Sequence, residues 1–117
     1  MIKSVLIIDD DRQSRSALRH ILESLNCEVY EAADGQEGID SFRKNPTDIV
    51  VTDIFIPGKD GLEVIWDLRN EFPGTEIIVI SGVETGSMDY FQAAIDSGAA
   101  RCIRKPISVR DIKGIVG

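Results

Sequence analysis

The sequence predicts an α/β fold: a doubly wound parallel sheet of five strands, in the order 2-1-3-4-5, with helices on both faces. Three observations predict it. Short apolar runs alternate five times with longer stretches whose apolar residues recur at helical spacing. Runs one, three and four (VLII, IVV and IIVI) are apolar throughout, as strands buried on both faces require. Runs two and five (EVYEA and RCIR) alternate, as edge strands do. With right-handed crossovers, few other topologies put strands two and five outermost.

Each element follows from its residues. Val5–Ile8 is the first strand. Ser14, Leu18, Ile21, Leu22 and Leu25 then share a helical face, which predicts a helix from about Arg12 to Leu25. Glu28–Ala32 is the half-exposed second strand. Gly35 to Arg43 is a short helix with Ile39 and Phe42 inward, closed by Pro46. Ile49–Val51 is the third strand, followed by a loop with Pro57, Gly58 and Gly61. Leu62, Ile65, Leu68, Arg69 and Phe72 describe the third helix, stopped by Pro73-Gly74. Ile77–Ile80 is the fourth strand. Met88, Phe91, Ala94 and Ile95 form the fourth helix, ended by Gly98, and Arg101–Arg104 is the fifth strand. Val109, Ile112 and Val116 begin a fifth helix. The order is that of flavodoxin-like (βα)5 sandwiches.

Residues 1–117 suit a single domain. The fifth helix runs out about eight residues after Val109, so the domain is expected to be excised from, or truncated within, a longer protein, with an output domain beyond it. No apolar stretch reaches the ~18 residues of a membrane span, and the short N-terminal run ends in three acids, unlike a signal peptide. The net charge of −7 repels phosphate backbones and argues against direct nucleic-acid binding. Cys27 and Cys102 match neither a redox motif nor a zinc ligand set, and are expected as free thiols in a reducing cytoplasm.

The residues that follow the strands carry the chemistry. Asp9, Asp10 and Asp11 follow the first strand, Asp53 the third, Ser81-Gly82 the fourth and Lys105-Pro106 the fifth. Ligands of doubly wound sheets bind beyond the carboxyl ends of the strands at the switch point, here between strands one and three. Asp9, Asp10 and Asp53 are expected to converge there, flanked by Ser81 and Lys105, with Asp11 capping the first helix. Carboxylates crowded into one crevice repel each other and call for a compensating cation. A hard divalent ion such as Mg²⁺ suits oxygen ligands and bridges readily to phosphate. The lone histidine, His20, lies on the first helix and is expected to be exposed, and no Ser-His pair is present. A carboxylate nucleophile beside Mg²⁺ suits phosphoryl transfer onto aspartate, with Lys105 and the Ser81 hydroxyl contacting the phosphoryl oxygens.

The motifs VLIIDDD, TDIFIPGKDGLEV, IIVISG and IRKP, in that order, resemble the receiver domains of two-component response regulators over essentially the whole chain. The resemblance implies that Asp53 is the phosphoacceptor and that Asp10 and Asp53 ligate Mg²⁺ (Mn²⁺ able to substitute). Asp9 would act through water, and the Phe55 backbone carbonyl would complete the protein ligands. It makes Ser81 the switch hydroxyl and Lys105 the phosphate contact, with Lys105–Pro106 a cis peptide. The implied partners are a histidine kinase or phosphotransfer protein, and an output domain or second copy on the face of helix four, strand five and helix five. The implied site is cytoplasmic, with no nucleic acid or membrane contacted by this domain. It is a phosphoacceptor that catalyses its own modification rather than a multiple-turnover enzyme.

Three positions depart from the family pattern. Cys102 stands where an aromatic or histidine is usual, and Phe55 and Val83, two residues after Asp53 and Ser81, stand where many members are polar. The departures bear on switching and on decay of the phosphorylated state. Two rivals fit less well. A flavin-binding protein needs a Ser/Thr/Gly-rich loop where this chain has DDDRQ, and a haloacid-dehalogenase-like phosphatase needs a second acid where Phe55 stands. A degenerate receiver acting as a phosphorylation-independent protein-binding module is the remaining alternative.

Overall fold

In the computed structural model, residues 2–54, 56, 61–82 and 87–117 are described, without the side chains of 87–89. Five strands and five helices alternate: β1 (Ser4–Ile8), α1 (Arg12–Ser24), β2 (Glu28–Ala32), α2 (Gly35–Lys44), β3 (Ile49–Asp53), α3 (Gly61–Glu71), β4 (Glu76–Ser81), α4 (Ser87–Ser97), β5 (Arg101–Arg104) and α5 (Val109–Val116). All strand pairs are parallel, in the order β2-β1-β3-β4-β5. The order agrees with the polarity of the runs: β1, β3 and β4 are almost wholly buried, whereas β2 and β5 are only partly covered.

Side-chain alternation splits the core into two layers. Leu6, Ile8 and Val50 face α2, α3 and α4, packing with Ile39, Phe42, Val64, Leu68 and Ala94. Val5, Ile7, Ile49 and Val51 face α1 and α5, packing with Leu18, Leu22, Ile112 and Ile115. Phe42 and Phe72 meet edge to face at 4.7 Å across α2 and the end of α3. Caps fix where the helices begin. Asp11 accepts from the Gln13 amide, Asp34 from the Glu37 amide, and Ser108 and Asp111 form a reciprocal capping box on α5.

Most predicted elements hold to within a residue or two, and the departures have physical reasons. Thr52, Asp53 and Ser81 belong to strands rather than following them, because the ladder continues through them (Ile8 opposite Thr52, Asp53 opposite Ile80, Ser81 opposite Arg104). Ile95 and Val109, expected on inward faces, are 43% and 49% exposed. In helices of 11 and 8 residues a few apolar positions do not fix the phase. The inward stripe of α5 is instead Ile112 and Ile115, and that of α4 centres on Ala94. Pro57, Gly58 and the side chain of Met88 lie outside the described residues.

At the opposite end of the sheet, Ser4 and Asp48 close β1 onto the start of β3. The Ser4 amide and hydroxyl both donate to Asp48 Oδ2, at 2.9 and 3.1 Å, and the Asp48 amide donates to Ser4 Oγ at 2.9 Å.

Candidate functional site at the carboxyl ends of β1, β3 and β5

The same alternation that sends Val5 and Ile7 toward α1 and α5 carries Asp9 to that side of β1, and Ile49 and Val51 carry Asp53 there on β3. β1 and β3 are neighbours in the sheet, so the two carboxylates open onto one cleft, whose apolar floor is Ile7, Val51 and Ile80. Lys105, just past β5, reaches across from the far side of β4. Its Nζ donates to Asp9 Oδ2 and to Asp53 Oδ2, each at 2.9 Å. One ammonium is thus shared by two largely covered carboxylates, and the mutual repulsion of the acids is offset from within the chain.

The cost of covering Lys105 is visible in its titration. Burial pulls the ammonium pKa down, but hydrogen bonds and charge from Asp53 and Asp9 outweigh it, and the group is held above the ordinary lysine value. The backbone between β5 and α5 turns through a cis Lys105–Pro106 bond, as the motif implied, and the Lys105 amide donates to the Ser81 carbonyl at 2.9 Å.

Asp9 is fixed on every side. Its amide donates to the Ala32 carbonyl at 3.1 Å, its Oδ1 accepts from the Asp11 amide at 2.9 Å, and its carbonyl accepts from Arg15 Nη1 at 2.7 Å. Asp10 follows at the same strand end and is exposed. Asp11 is the α1 cap. The Ser14 hydroxyl, then the Gln13 amide, hold its carboxyl below the ordinary value. Ser81, the last residue of β4, is buried, with 1% exposure. His20 is exposed on α1, and Cys27 and Cys102 are free, half-buried thiols. Cys102 Sγ donates weakly to the Phe91 carbonyl at 3.6 Å. Phe55 and Val83 lie outside the described residues, so the Phe55 carbonyl remains an expectation from sequence.

Among the described residues, no three acidic, histidine or cysteine side chains form a ready-made metal cage. The donor set nevertheless suits Mg²⁺, which needs only one or two carboxylates and completes its shell with water and phosphate. Asp9 and Asp53 present oxygens only, both accept from the Lys105 ammonium, and Asp10 adds a further carboxylate at the same strand end.

Two contributors escaped the sequence reading. Arg15 and Glu31 meet across α1 and β2, with Arg15 Nε donating to Glu31 Oε1 at 3.0 Å. Gly61, at the start of α3, lies directly against the main chain that follows Asp53. Its amide donates to the Ile54 carbonyl at 2.8 Å, and an added Cβ would come within 2.5 Å of the Asp53 carbonyl oxygen. Only the bare composition of Gly61 could have hinted at the second.

Comparison with known proteins agrees with this fold. Residues 5–116 match the family described as the response regulator receiver domain. Response regulator MprA of Mycobacterium sp. (strain KMS) is 34% identical over 108 residues, which is 92% of this chain and 46% of that protein. The chain therefore spans about half the length of the curated relatives it matches. A receiver domain protein from Clostridium thermocellum superposes with a TM-score of 0.91 at 26% identity, over 98% of this chain and 91% of the other. A CheY-like receiver domain protein from Methanospirillum hungatei JF-1 gives 0.89 at 27%, over 99% and 91%.

Proposed function

Because the chain belongs to the response regulator receiver domain family of two-component systems, we propose that it is a phosphorylation-dependent switch whose acceptor is Asp53. The observation that carries this reading is the single ammonium of Lys105 held 2.9 Å from both Asp9 and Asp53. It leaves the Asp53 carboxylate held in place at the cleft. A histidine kinase or phosphotransfer protein would offer phosphohistidine. An oxygen of Asp53 attacks phosphorus, the new O–P bond forms as the P–N bond breaks, and the electron pair stays on the departing imidazole nitrogen.

Lys105 then exchanges its bond to the Asp53 carboxylate for one to a phosphoryl oxygen, a small movement for a side chain already at the mouth. The Ser81 hydroxyl, buried at the end of β4, donates to another oxygen and is drawn toward it. Asp10 and Asp53, with Asp9 through water and the Phe55 carbonyl as a further donor, would hold Mg²⁺, which would supply positive charge to the phosphoryl oxygens. The domain performs this step on itself and is no multiple-turnover enzyme.

Movement at Ser81 reaches the face of α4, β5 and α5 through residues 82–88, a two-state population shift. That face carries exposed Tyr90, Ile95 and Val109 beside exposed Arg101, Arg104, Arg110 and Lys113, which supports docking of an output domain or a second copy. A cytoplasmic location goes with the partners this reading names, a histidine kinase or phosphotransfer protein; separately, among the described residues no helix is long and apolar enough to cross a membrane.

Incubation with acetyl phosphate and Mg²⁺ tests the reading. One phosphoryl group is expected by intact-mass measurement, lost in Asp53→Ala and in EDTA. Equal labelling of Asp53→Ala, or labelling indifferent to EDTA, would refute it and leave a phosphorylation-independent binding module.

A further inference from the structure

Arg15 belongs to the surface of α1 by position, yet its side chain is only 17% exposed and its guanidinium is spent on two targets. Nη1 donates to the main-chain carbonyl of Asp9 at 2.7 Å, and Nε donates to Glu31 Oε1 on β2 at 3.0 Å. The second oxygen of Glu31 is held by Arg19 Nη1. The carbonyl that Arg15 holds is half of the peptide joining Asp9 to Asp10. Fixing the plane of that peptide fixes where the Asp10 Cα sits and the axis about which its side chain is set. It also holds the Asp9 carboxylate from its backbone side, while Asp11 and Lys105 hold its two oxygens.

The strand bond from the Asp9 amide to the Ala32 carbonyl belongs to the preceding peptide, so the Asp9 carbonyl is held by the Arg15 side chain and not by that last rung of the β1–β2 pairing. We propose that Arg15 is a positioning residue for the cation site, setting through the Asp9–Asp10 peptide the relative placement of the two carboxylates that end β1, with Glu31 as its orienter. The inference rests on the Mg²⁺-dependent reading above. Planar guanidinium matters here, because it meets a carboxylate and a carbonyl simultaneously from fixed directions, which an ammonium cannot. Groups that orient metal ligands without touching the metal commonly alter affinity by ten- to a hundredfold.

Calorimetric titration of the unphosphorylated chain with MgCl₂ separates positioning from mere bracing, with thermal unfolding in EDTA run in parallel. Arg15→Ala is expected to weaken Mg²⁺ binding about tenfold or more, and Arg15→Lys to recover part of the loss. Glu31→Gln keeps Arg15 but loosens its orientation, and several-fold weaker binding is expected. Arg19→Ala removes ion pairs to Glu31 and Glu23 without touching the Asp9 carbonyl, and should bind Mg²⁺ within about twofold of wild type. Wild-type Mg²⁺ affinity in a folded Arg15→Ala chain overturns the inference. Should that variant not fold, wild-type affinity in Glu31→Gln does the same. Failure of the unaltered chain to bind Mg²⁺ at all overturns instead the reading on which the inference rests.

Discussion

Gly61→Ala should damage the acceptor without touching a charged group. Gly61 begins α3, buried, with an ideal Cβ falling 2.5 Å from the Asp53 carbonyl oxygen, 2.6 Å from Ile54 Cα and 2.9 Å from the Ile54 carbonyl oxygen. All three are main-chain atoms, so no rotamer change relieves them. Bringing the nearest contact out to an ordinary 3.4 Å requires roughly 0.9 Å of relative movement between α3 and the end of β3. Overpacking of this kind costs about 1–3 kcal/mol, while replacing glycine by alanine in a helix returns up to about 1 kcal/mol. The expected balance is a loss of about 1–2 kcal/mol, or a melting temperature lower by about 4–10 °C for a domain of this size. Part of the movement falls on Asp53 itself, whose carboxylate must stay within hydrogen-bonding reach of Lys105. Misplacement approaching 1 Å can cost as much as about a hundredfold in rate, and with α3 absorbing part of the strain about tenfold slower labelling by acetyl phosphate is expected. Gly74→Ala is the control, since nothing lies within 4 Å of its Cβ. Unfolding monitored by circular dichroism and initial labelling rates read by intact mass suffice. A Gly61→Ala chain that melts lower but labels at the wild-type rate refutes the link to the acceptor, and one unchanged in both refutes the steric reasoning.

The raised pKa of Lys105 makes stability fall in alkali. The contribution is complete below the ordinary lysine value of about 10.4 and is lost as pH climbs through the higher folded value, so Lys105→Met should flatten the stability curve above about pH 10, measured by urea unfolding. The phosphorylated state is expected to be long-lived, because the apolar Phe55 and Val83 offer no side-chain hydrogen bond to an attacking water. Phe55→Asn with Val83→Glu should speed loss of phosphate about tenfold, and unchanged decay of the double variant would contradict this.

Much of this molecule is legible from its sequence because a parallel sheet writes burial into composition. Strands covered on both faces must be continuously apolar, so VLII, IVV and IIVI identified the inner strands, and the order of the sheet followed from the two that alternate. The residues at the carboxyl ends of those strands must share one edge, which singles out Asp9, Asp10, Asp53, Ser81 and Lys105 together. What the sequence did not carry is pairing between elements without a shared period. Arg15 and Glu31 lie 16 residues apart on a helix and an edge strand, and nothing in either segment singles out its partner. The role of Gly61 depends on how closely α3 approaches the β3 main chain, a distance no pattern of side chains encodes. Ile95 and Val109 show the limit from the other side: apolar residues on short helices satisfied the period and yet face outward.

The two bonds of Lys105 join residues 96 and 52 positions apart in the chain. The register of β1 and β3, both far from Lys105 in the chain, sets Ile8 opposite Thr52 with Asp9 and Asp53 just beyond. In the folded sheet the two adjacent acids of β1 and β3 therefore draw a counter-charge from a residue just beyond the last strand. The pairing of β5 with β4 and the charge balance of the acids are thus tied together through Lys105. A substitution that loosens β5 is felt at the far edge of the cleft as an uncompensated charge as well as a packing fault.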